Sequence, residues 1–161
     1  AEPLIGLADT AIIGHLGKIE LAAVGLGSSI FLLFIWGFSS IKSAISSILA
    51  NYLGKEKLSE VRTLVPQSIL VSIIIGLILL FSTLLFAKEL FEFHNAKKEV
   101  LNFALDYYRI RAFGYPITLA TFTIFGVLRG CQNTKWAMII SICGGIINIV
   151  LDFVLIYGTP Y

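Results

Sequence analysis

Two carboxylates and one amide stand inside stretches that are otherwise uncharged. Asp9 lies in the apolar run 4–13, and Asp152 is the single charged residue after Lys135. Asn148 precedes Asp152 by four residues and so shares its face of a helix. Carboxylate and amide oxygens are hard ligands. Asp9, Asn148 and Asp152 together suit a proton or an alkali cation such as Na+, and not a soft metal. Two carboxylates held close together repel, which favours sharing a proton. A group that must take up and release a proton during transport needs that property. Gly144 and Gly145 come just before Asn148, where they would let a neighbouring helix approach closely. The same three side chains would equally serve as a buried polar set, satisfied by backbone and hydroxyl groups, that only holds helices together.

The elements that must position these residues follow from composition. The chain has 161 residues, of which 57% are hydrophobic and 14% charged. Its mean hydropathy is +0.90. About 25% charge is usual for a soluble domain, so a cytosolic enzyme, a disordered linker and a nucleic-acid module are excluded. The net charge of +2 is too small to imply a polyanionic partner, and no nucleic acid is expected. Cys131 and Cys143 form neither a disulfide framework nor a metal site. There is no Gly-rich phosphate loop, HExxH or GxSxG. Asp9 and Asp152 could notionally form a catalytic dyad, but their flanks, LADTA and IVLDF, lack the aspartyl-protease pattern.

Charges divide the chain into apolar runs. There are 21 uncharged residues between Glu20 and Lys42, 25 between Arg62 and Lys88, and 17 between Arg111 and Arg129. Crossing ~30 Å of hydrocarbon takes roughly 20 apolar residues of helix. Spans are therefore expected at about 20–53, 63–87, 99–129 and 136–157, with residues 1–13 as the outgoing end of another. Those thirteen residues would reach only about 20 Å, and without a basic leader or cleavage site they do not read as a signal peptide. The expected fold is an all-α integral membrane bundle of about five helices, the first partial. Gly54 stands where the residue after a helix end belongs. The stretch from Lys88 to Glu99 reads as interfacial, and Pro116 should kink its helix as a hinge or as fixed shape. Connectors 54–62 and 129–135 carry five basic residues against four in 14–19 and 88–98, which favours a cytoplasmic side for the first pair. On that topology the first and last spans both point outward. Asp9 and Asp152 then lie at matching depth, about 9–12 Å below the outer helix ends.

Other residues have two readings each. Lys42 could line an aqueous cavity or meet a carboxylate; equally, it could snorkel to the cytoplasmic interface. Glu2 lies seven residues before Asp9 and could extend a proton path. Tyr107, Tyr108, Arg109 and Arg111 read as an interfacial anchor. His15 and His94 fall in connectors without ligand spacing and are expected to be solvated.

Four segments carry a family resemblance. Leu7-Ala8-Asp9-Thr10-Ala11-Ile12-Ile13-Gly14-His15-Leu16-Gly17 resembles the first-helix signature of the multidrug and toxic compound extrusion (MATE) family. Glu20-Leu21-Ala22-Ala23-Val24-Gly25 resembles the start of its second helix. Leu128 to Lys135 resembles the RGxQxT connector between helices four and five, through Arg129, Gly130, Gln132 and Thr134. Gly145 to Asp152 resembles the fifth-helix NxxxD motif. The context of Asp9 is similar to the DinF-like branch.

The resemblance implies twelve helices in two six-helix lobes related by pseudo-two-fold symmetry, in a bacterial plasma membrane. It implies export of organic cations and other amphipathic compounds in exchange for H+ or Na+, with no cofactor beyond that coupling ion. It makes Asp9 the main proton or cation switch and places Asn148 and Asp152 in the same amino-lobe site. The chain then reads as a fragment of the amino-terminal lobe that would need the rest of the transporter and would transport nothing alone. Its other partners would be the lipid bilayer and a small amphipathic or cationic substrate. A lipid-linked oligosaccharide flippase of related architecture and a non-transporting helical scaffold are the competing readings.

Overall fold

The computed structural model describes residues 17–94 and 98–157, and all regular structure among them is helical. Helix α1 is Lys18–Gly37 and α2 is Ile41–Gly54. They form one apolar stretch of 37 residues, about 55 Å long and well beyond the ~30 Å hydrocarbon thickness. The continuous helix expected over 20–53 is interrupted at 38–40. There the N–H groups of Phe38, Ser39 and Ile41 donate to the carbonyls of Ile35, Trp36 and Phe38, each at 3.1 Å. These are i→i+3 bonds of a tightened turn. Gly37 is a poor helix former, and the Ser39 hydroxyl donates to the Trp36 carbonyl at 2.7 Å, competing with the regular ladder.

Helix α3, Leu58–Leu85, begins five residues before the expected 63, because Leu58 to Arg62 already coil into its first turns. The short helix α4, Ala87–Phe93, follows. Its Phe91 is 0% exposed in the core, while Lys88 and Glu92 form an outward ion pair at 3.8 Å. Helices α5, Lys98–Ala112, and α6, Gly114–Gly130, meet at a 43° bend. The kink expected at Pro116 thus falls three residues earlier, at Phe113. Pro116 occupies the first turn of α6, and its missing N–H is the one that would have bonded the Ala112 carbonyl. Helix α7 is Thr134–Tyr157.

The main pairings are α1 on α5, α2 on α6 and α3 on α6. In the first, Gly27 and Ser28 of α1 lie against Tyr107 of α5, and Phe31 of α1 reaches past α5 to stack on Tyr115 of α6 with centroids 4.5 Å apart. Small residues also make the other two. A Cβ on Gly76 of α3 would overlap the Pro116 backbone. On α6, Gly126 and Gly130 are four apart. Cβ atoms there would come within 2.8 Å of the Lys42 carbonyl and of Leu49 Cβ on α2. This is the small-xxx-small device by which membrane helices bring their backbones together.

The surface is as apolar as the core, and the core also holds hydroxyls, unlike a water-soluble chain. Trp36, Phe81, Leu85, Ile110 and Ile117 are exposed, while Ser72, Thr83 and Thr123 are buried. Lipid is the solvent such a surface fits. Among the described residues three helical stretches are long and apolar enough to cross a membrane, or four if the bent α5–α6 pair is one span.

Candidate ion site and its surroundings

Helix α7 carries the described part of the proposed ion site. Asn148 Oδ1 is buried and has no hydrogen-bond partner among the described residues. Burying an amide oxygen without a donor costs about 1–3 kcal/mol, so a donor or a cation near Asn148 would be favoured. Gly144 stands one turn earlier on the same face, and a Cβ there would meet nothing within 4 Å. The α7 backbone continues through position 152. The Asp152 side chain, and Glu2, Asp9 and His15, lie outside the described residues.

Lys42 turns to the neighbouring helix. Its Nζ sits 4.2 Å from the centroid of the Phe122 ring on α6, a cation–π contact worth about 0.5–2 kcal/mol. The connector motif has a backbone explanation. Asn133 N–H donates to the Leu128 carbonyl at 2.8 Å and Gln132 N–H to the Arg129 carbonyl at 2.9 Å. This is a Schellman ending of α6 with Gln132 in the left-handed region, at φ 58°. Gly130 is buried against α2, Arg129 is exposed on the last turn of α6, and Thr134 opens α7. The α2–α3 connector repeats the device. Lys57 N–H donates to the Tyr52 carbonyl and Glu56 N–H to the Leu53 carbonyl, both at 3.0 Å. Its left-handed residue is Glu56, at φ 57°, two positions beyond the expected Gly54.

The expected anchor divides. Arg109 is exposed and pairs with Asp106 at 3.2 Å. Arg111 is also exposed, with its guanidinium 4.6 Å from the Phe31 ring. The two tyrosines point inward instead. Tyr107 shares a 2.9 Å hydrogen bond with Ser28 of α1, and the buried Tyr108 shares one of 2.8 Å with Tyr115. His94 is exposed and donates from Nδ1 to the Leu90 carbonyl at 2.9 Å. A buried hydroxyl pair, Ser72 with Thr123, ties α3 to α6. Neither residue stands out in the sequence, because a Ser or Thr in an apolar helix commonly bonds its own backbone, as Ser72 also does to the Ser68 carbonyl.

A family model described as MatE matches residues 1–154. The chain belongs to the MatE family. Relatives of this MatE chain include a probable multidrug resistance protein NorM of Bacillus thuringiensis subsp. konkukian (strain 97-27). It is 30% identical over 151 residues, covering 93% of this chain and 33% of the relative. The DNA damage-inducible protein F of Escherichia coli (strain K12) is 32% identical over 162 residues, covering 97% and 34%. Among solved structures, one described as MATE in the bent conformation superposes with a TM-score of 0.90 at 30% identity. It covers 98% of this chain and 35% of the other. The outward-facing conformation of a multidrug resistance MATE family transporter of the MOP superfamily gives 0.89, at the same identity and coverage. This MatE chain thus spans about a third of the length of the relatives it matches. The all-helical membrane fold expected from its sequence is the fold of those structures.

Proposed function

We propose that this chain is part of the amino-terminal lobe of a secondary active antiporter. The complete protein exports organic cations or other amphipathic compounds across a bacterial plasma membrane in exchange for H+ or Na+. The observation that carries this reading is Asn148: a buried amide oxygen without a partner among the described residues, on an apolar helix of a MatE chain. Asp152 follows it by one turn, and Asp9 supplies the second carboxylate from the first span. An ion arriving from outside binds at Asp9, changes the charge of that helix, reshapes the lobe and lowers affinity for bound drug. Such coupling requires ion and drug to favour different states.

The complete protein in proteoliposomes tests this. Asp9→Asn should abolish gradient-driven efflux of a fluorescent cation, and Asn148→Ala should weaken it at least several-fold. Full proton-driven or sodium-driven export by Asp9→Asn would overturn the assignment.

A further inference from the structure

The end of the bundle that carries both Schellman connectors holds a cleft of about 690 Å³ between the last turns of α2 and the first turns of α3. It is lined by the polar Asn51, Tyr52, Lys55 and Lys57 and by the apolar Ile48 and Leu64. Neither lysine has a carboxylate within ion-pair distance among the described residues, although Glu56 lies between them in sequence. The connector is held by the two backbone bonds to Tyr52 and Leu53, so the lysines spring from a fixed turn. The charge of the whole end has the same sign. Lys55, Lys57, Arg62, Arg129 and Lys135 stand against Glu56 and Glu60 alone, whereas toward the other end Glu20, Glu89, Glu92, Glu99 and Asp106 are balanced by Lys18, Lys88, Lys98, Arg109 and Arg111.

We propose that this cleft binds the phosphodiester headgroup of an anionic phospholipid. Lys55 and Lys57 meet the phosphate, Asn51 and Tyr52 offer hydrogen bonds to it and to the headgroup hydroxyls, and Ile48 and Leu64 face the upper acyl chain. Basic pockets between membrane helices bind lipid headgroups on this principle. A lipid fits better than a free phosphate because Ile48 and Leu64 line the cleft beside the lysines and Ile48 is exposed. The proposal is independent of what the protein exports.

The test is native mass spectrometry of the complete protein released from nanodiscs of mixed phosphatidylglycerol and phosphatidylcholine. The unaltered protein should carry phosphatidylglycerol in excess of its share. The exposed double substitution Lys55→Gln with Lys57→Gln should cut that excess by about ten-fold, while Lys18→Gln with Lys88→Gln at the opposite end leaves it unchanged. An undiminished excess in the first variant, or an equal loss in the second, would overturn the proposal. So would displacement of the lipid by millimolar inorganic phosphate, which would mark a site for soluble phosphate.

Discussion

Tyr108 and Tyr115 show what single side chains contribute here. Each is 0% exposed, and each hydroxyl has the other as partner at 2.8 Å. Thr83 also lies against the Tyr115 hydroxyl, so Tyr115→Phe, which leaves Tyr108 alone, should destabilise by the desolvation cost of a hydroxyl, about 1–3 kcal/mol. Tyr108→Phe should cost less, and the double variant should lose clearly less than the sum of the two. Equilibrium unfolding in mixed micelles measures this, and strict additivity would show that the pair does not interact. The sequence placed Tyr107 and Tyr108 at the lipid interface because an amphipathic ring next to arginine usually sits there. Nothing local reveals that their partners, Ser28 and Tyr115, come from other helices. Asn148 stood out for the opposite reason: a polar group in a charge-free run is conspicuous without knowing its neighbours.

At the scale of elements, the long apolar runs marked the helices, and their interruptions were harder to place. Pro116 signalled a bend, but the lost hydrogen bond belongs to Ala112, so the backbone yields before the proline. The break at 38–40 had no proline at all and rests on Gly37 and serine hydroxyls. Gly54 was expected just after the end of α2 because glycine tolerates positive φ, yet it is the last helical residue, and Glu56 takes that conformation. A side chain there costs about 1–2 kcal/mol, against about 0.5–1 kcal/mol of extra chain entropy for glycine. Glu56→Gly should raise stability by up to about 1 kcal/mol, while Glu56→Ala, which keeps the Cβ, should gain little. Thermal unfolding in nanodiscs distinguishes the two; a lower midpoint for Glu56→Gly would contradict the capping geometry.

For the whole molecule, three close crossings hold a bundle whose outside offers no hydrophobic incentive to associate. In lipid the drive comes from backbone approach and polar contacts, so glycines at crossings should matter more than glycines elsewhere. Gly126→Val pushes a branched side chain into the Lys42 carbonyl and Ile45, which lie 2.8 and 3.0 Å from a Cβ at that site. It should cost about 1–3 kcal/mol and loosen α2 from α6. Gly25→Ala, where a Cβ meets nothing within 4 Å, should be neutral or slightly stabilising. Equal losses at both positions would mean that helix propensity and not contact decides.

The pairing of α1 with α5 and of α2 with α6 also sets an order of events during synthesis. Ser28 meets Tyr107 across 79 residues of chain, and Lys42 meets Phe122 across a similar interval. At about 5–20 residues per second, that is roughly 4–16 s of translation. Throughout that interval the α1–α2 stretch waits with a lysine and a serine that have not met the helices that will receive them. The emerging chain therefore needs a polar refuge before it has a bundle.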